Sequence, residues 1–126
     1  MNTSEQFGFQ DLKVWQLAIE YADLLMDIVD NKLPSNKHFR LKEQIESASI
    51  SVSSNIAEGK GRWSQKEFVH FLYISRGSLY ETVSLLTIIR RRNFISESEY
   101  NEILKRAIEI TKATNGLINA IKKKIN

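Results

Sequence analysis

The chain has 126 residues, 42% hydrophobic and 26% charged, with a net charge of +3 and a pI near 9.2. That length predicts one domain around a single core, and the composition excludes a disordered chain. No apolar run nears the ~20 residues a bilayer span requires, and zero cysteines exclude disulfides and thiolate metal sites, leaving the cytoplasm as the expected location.

The first eight residues lack the basic-then-apolar pattern of a secretion signal. A single proline, Pro34, and few glycines leave long uninterrupted stretches, which predicts helices. Helix 1 is expected over residues 10–31. Leu12, Trp15, Ile19, Ala22, Met26 and Val29 have the spacing of a bundle seam. Leu17, Tyr21, Leu24 and Ile28 form a second apolar stripe, with Val14, Ala18 and Leu25 between the two. At about 100° per residue the apolar arc covers roughly two-thirds of the circumference, more than a lone bundle helix needs. Either this helix is clamped unusually deeply, or the second stripe meets another subunit; the second reading is preferred.

Leu33-Pro34 ends helix 1, and Ser35 or Asn36 can cap the next helix. Helix 2 is expected over residues 37–58, buried along Leu41, Ile45, Ala48, Val52 and Ile56. Residues 47–53, Ser-Ala-Ser-Ile-Ser-Val-Ser, alternate as a half-buried strand would. The helical spacing continues on both sides and no partner strand exists, so the serines read as small residues that let neighbouring helices close in. Gly59 is then expected to cap helix 2, and Gly61 to ease the turn.

Ser64-Gln-Lys-Glu67 is a capping box opening helix 3, expected over residues 65–91. Its inner seam is Phe68, Leu72, Ser75, Leu79, Val83 and Leu86, and a second ridge carries Val69, Tyr73, Arg76 and Tyr80. Gly77 within this helix costs about 1 kcal/mol against alanine and suggests close approach of another backbone. After Arg90-Arg-Arg92, a second capping box, Ser96-Glu-Ser-Glu99, opens helix 4 over residues 97–125. Four helices of about 33 to 45 Å with short connections predict an all-α, up-down-up-down antiparallel four-helix bundle as a single domain over residues 1–126.

Reaction chemistry is sparse. Glu67-Phe-Val-His70 has the Glu-x-x-His spacing of di-iron bundles, but such sites need two copies, and Glu67 is committed to the cap. Gly59-Lys-Gly61 lacks the length and the preceding strand of a nucleotide loop. No serine has a predictable histidine and carboxylate beside it. The expectation is no enzyme, no metal, no cofactor, no small-molecule substrate and no membrane partner.

An up-and-down course brings Lys60, Arg62, Trp63 and Lys66 to the same end as Lys122, Lys123 and Lys124. Two readings stand for this cluster. Cations in a last helical turn favour the helix dipole and solubility; clustered Lys/Arg with an aromatic also suits RNA or DNA.

The order Ser54-Asn-Ile-Ala-Glu-Gly59, Gly61-Arg62, Ser64, Lys66-Glu-Phe68 and Gly77-Ser-Leu79 resembles a known family, as do Phe9-Gln-Asp-Leu-Lys-Val-Trp15 and Gln44-Ile45 upstream. These are the four-helix bundle proteins encoded by intervening sequences of bacterial 23S ribosomal RNA genes. The likeness covers about residues 9–90, and departs at Arg76, where a small residue is expected, and at Glu81-Thr82. It implies a homopentamer and kinship to retroelement accessory proteins, basic pentameric barrels that bind nucleic acid. It supplies no catalytic residues. The resulting expectation is a non-catalytic, oligomeric, RNA-associated bundle. Its interface candidates are Leu17, Tyr21, Leu24 and Ile28 on helix 1 and Tyr73, Arg76 and Tyr80 on helix 3. The alternative is a protein–protein adaptor docking through the Tyr73/Arg76/Tyr80 ridge.

Overall fold

The computed structural model describes residues 7–125, so the secretion-signal reading falls almost wholly outside the described residues. Among them are four long helices and no strand: α1 (Lys13–Asn31), α2 (Phe39–Lys60), α3 (Gln65–Arg91) and α4 (Glu97–Ile125), preceded by a short 3-10 helix, Gly8–Asp11. The serine-rich segment 47–53 lies inside α2, in keeping with its helical spacing. Among the described residues no helix is long and apolar enough to cross a membrane.

The helices form a ring in which α1 packs on α2, α2 on α3, α3 on α4 and α4 back on α1; across the diagonals the backbones stay apart, and the Tyr21 side chain of α1 reaches Thr82 of α3. Two of the four flanks are pinned by paired residues. Between α2 and α3, Ser51 meets Ser78 (2.8 Å) and Ser75 donates to the Val52 carbonyl (2.7 Å). Between α3 and α4, Arg76 donates to Asn115 (2.8 Å) and Thr87 meets Tyr100 (2.7 Å). Buried Ser49 and Ser53 turn their hydroxyls onto carbonyls of their own helix, so they cost no orphaned polar group and leave α2 thin.

Several local expectations change. Residues 10–12 are not α-helical, because Gln10 turns its side chain back onto the Phe7 amide and closes a 3-10 turn instead. Helix α2 begins at Phe39, after His38 in the left-handed region (φ 61°), with neither Ser35 nor Asn36 as its cap. The His38 ring packs edge-on against Phe94, 5.5 Å between centroids. Gly59 is not a helix end: α2 runs on to Lys60, and a Cβ on Gly59 would stand 2.6 Å from Phe71 Cβ and 3.0 Å from Phe68 Cδ1. The close approach expected at Gly77 is therefore at Gly59; around Gly77 nothing lies within 4 Å of an added Cβ.

The apolar arc of α1 also resolves differently. Its centre faces the core through Val14, Ala18, Tyr21, Leu25, Ile28 and Val29, while the expected seam residues Trp15, Ile19, Ala22 and Met26 are only half-buried at one edge. An arc this wide puts its middle inward, because that buries the most apolar area.

Candidate nucleic-acid interface

The α2–α3 connection is short because α2 ends on Gly61, whose amide reaches back to the Ala57 and Glu58 carbonyls, and α3 starts at once on Ser64. The Ser64 hydroxyl accepts from the Glu67 amide (3.1 Å) and donates to the Glu67 carboxylate (3.3 Å). Only half of the expected capping box forms, since Glu67 meets the Ser64 hydroxyl rather than its backbone amide. The second box is complete: Ser96 N–H donates to Glu99 (2.9 Å) and Glu99 N–H to the Ser96 hydroxyl (3.0 Å).

Squeezed between these two helix ends, Trp63 has nowhere inward to turn and stands 98% exposed. Its neighbours are differently engaged. Arg62 pairs with Glu58 (2.7 Å) and lies over the Phe71 ring at 4.6 Å, so its charge is partly answered already. Lys60 reaches 5.8 Å from the Phe68 centroid, and its stem passes 3.8 Å from where a Cβ on Gly8 would be. Lys66 and Lys122 line one surface depression with Ser64, Gln65, Val69 and Ile125, so α3's first turn and α4's last turn do share this end. Lys122 donates to the Tyr73 hydroxyl at 2.6 Å. Its nitrogen is 5.1 Å from the ring centroid, which puts it out beyond the hydroxyl rather than over the ring face. Lys123 and Lys124 are exposed. The structure thus gathers Lys60, Arg62, Trp63, Lys66 and Lys122 at one end of the bundle.

The interface candidates divide. Tyr21 is fully buried, its hydroxyl bonded to Thr82 of α3, and Ile28 is buried as well; neither is available to a second subunit. Leu17 and Leu24 are half-buried against the same core. On α3, Tyr73 and Tyr80 remain exposed, while Arg76 is half-buried, tied to Asn115 and stacked 4.9 Å from the Tyr73 centroid. Sequence reasoning missed an apolar groove between α3 and α4, lined by Tyr80, Val83, Leu104, Ala107, Ile108 and Thr111. Its signal was there: Ile108, exposed between Lys105 and Lys112, stands one turn from Leu104 and extends the apolar side of α4 onto its surface.

Among the described residues no group of three or more His, Cys, Asp or Glu side chains could hold a metal ion. His70 is exposed and Glu67 is spent on Ser64.

These features define an all-α helical bundle with a basic end tipped by an aromatic side chain. Residues 10–116 match the family of 23S rRNA-intervening sequence proteins, and the chain belongs to that family. Among solved structures it is similar to a protein of unknown function from the S23 ribosomal protein family of Bacteroides thetaiotaomicron. The TM-score is 0.77 and the identity 25%, over 83% of this chain and 97% of that one. No curated protein matches the chain.

Proposed function

We propose that this chain is a non-catalytic, cytoplasmic, RNA-associated protein that works as a homo-oligomer, with five copies favoured. The observation that carries the RNA reading is Trp63, almost wholly in solvent amid Lys60, Arg62, Lys66 and Lys122. Tryptophan is highly buried on average, so an indole this exposed is free to meet a partner. Bases stack on such a ring whatever their identity, and lysines around it meet the phosphates. Membership of a family named for 23S rRNA intervening sequences supports the same reading.

An up-and-down course belongs to this proposal. It is supported by pairs whose numbers run in opposite directions, Ser51–Ser78 against Val52–Ser75, and by His38 of the α1–α2 connection meeting Phe94 of the α3–α4 connection.

The test is retention of structured and single-stranded RNA as salt is raised. Binding should weaken steeply with salt, and Trp63→Ala should lower affinity about 5- to 150-fold, the equivalent of about 1–3 kcal/mol for one stacked base. No binding to RNA or DNA even at low salt would sink the proposal.

The α3/α4 groove favours a second reading, a protein adaptor. A protein partner that survives nuclease and is lost on Tyr80→Ala would select it.

A further inference from the structure

The bundle is electrically two-sided. Helix α1 carries one lysine against four carboxylates, and α2 three cations against three carboxylates. Helix α3 carries four cations against two carboxylates, and α4 six against four. The apolar groove lies on the positive side, between α3 and α4, with Lys112 on its wall and Lys105 exposed one turn away. Within it Ile108 is 54% and Tyr80 51% exposed. On the other side, Ile50 projects from α2 at 47% exposure, on the face it shares with Glu43, Ser47 and Ser54. The neighbouring helix α1 turns Glu20, Asp23, Asp27 and Asp30 outward. The backbones of α2 and α4 do not approach each other, so these two faces lie across the bundle from one another.

We infer that the α3/α4 groove receives the α1/α2 face of a second copy, with Ile50 entering between Tyr80 and Ile108 and the acidic rim of α1 and α2 meeting Lys105 and Lys112. Burial in the groove supplies the apolar contact, and the opposed charges select this pairing over groove-to-groove contact, which would set lysines against lysines. Because the two faces differ and lie on opposite sides, the contact is head-to-tail. Such a contact repeats, closing into a ring where the rotation allows. This rests on the homo-oligomer reading above and adds which faces meet.

The experiment uses two variants, Ile50→Asp and Ile108→Asp, both at exposed positions, checked for folding by circular dichroism and weighed by light scattering alone and mixed. Wild type should run as an oligomer and each variant as a monomer. The equimolar mixture should run as a one-to-one dimer and nothing larger. The Ile50→Asp copy still offers a groove and the Ile108→Asp copy still offers its α1/α2 face, so a single junction forms and the chain stops. A wild-type oligomer unaffected by either variant, or a mixture that stays monomeric, overturns the head-to-tail pairing while leaving assembly intact. A monomeric wild type overturns both.

Discussion

Tyr21 of α1 donates its hydroxyl hydrogen to Thr82 of α3. The two oxygens are 2.8 Å apart, and Thr82 already spends its own hydrogen on the Leu79 carbonyl at 2.6 Å, so only the tyrosine can be the donor. The same relay recurs where Tyr100 of α4 meets Thr87, which donates to the Val83 carbonyl (2.8 Å). In each, a threonine on α3 relays a neighbouring helix's tyrosine to the backbone.

Direction makes the Tyr21 pair asymmetric to mutation. Tyr21→Phe leaves Thr82 bonded to Leu79 and should cost about 1 kcal/mol of stability. Thr82→Ala strands a buried phenol donor and leaves a small void, and should cost about 2–3 kcal/mol. Urea melts that ranked the two the other way would refute the assigned direction.

Burial pushes the Tyr21 hydroxyl up to about 12. In the unfolded chain a tyrosine loses its proton near pH 10. Between the two values the unfolded state has shed a proton that the folded state retains, so stability falls as pH rises. The contribution is complete below about pH 10 and gone above about pH 12, roughly 2–3 kcal/mol in all. Tyr21→Phe should flatten that part of the alkaline limb, measured by denaturation midpoints from neutral to high pH.

Two helical glycines should respond oppositely to alanine. At Gly59 the new Cβ would meet Phe71 Cβ at 2.6 Å, an atom fixed to its backbone that cannot swing aside. Separating α2 from α3 should cost about 1–3 kcal/mol, outweighing the ~1 kcal/mol that alanine gains in helix propensity. At Gly77 there is open space, and alanine should stabilise the fold by about 1 kcal/mol. Thermal melts of the two variants check both signs.

The Glu99 carboxyl is held below its ordinary value, chiefly by the Ser96 amide and secondarily by Lys32, 3.3 Å away. This lowered value favours the folded state above the usual glutamate range and is lost as pH falls through it. Lys32→Met should raise the Glu99 midpoint only part of the way, because the Ser96 amide remains. An NMR titration that returned Glu99 fully to the ordinary range would contradict that order of causes.

Periodicity was enough to mark four helices, the α2 stripe of Ile45, Ala48, Val52 and Ile56, and the inner seam of α3. Those features depend on spacing along one chain segment, and a 3.6-residue repeat is written locally. The capping serines Ser64 and Ser96 were legible for the same reason, whereas Ser35 does not cap α2. Where an element had a choice of partners, the sequence was silent. The arc of α1 was wide enough to turn several ways, and only its neighbours put Tyr21 rather than Ile19 against the core. Gly59 and Gly77 look alike as letters in a helix, and what separates them is Phe71, twelve residues further on and across a turn. The basic end was expected from topology, yet Arg62's engagement with Glu58 and Phe71, and the isolation of Trp63, came from side-chain packing at a connection too short to hide an indole. The sequence by itself determined the helices and the kinds of residue at each end. The tertiary structure decided which faces are spent on the core and which remain open, because burial is settled between segments and not within them.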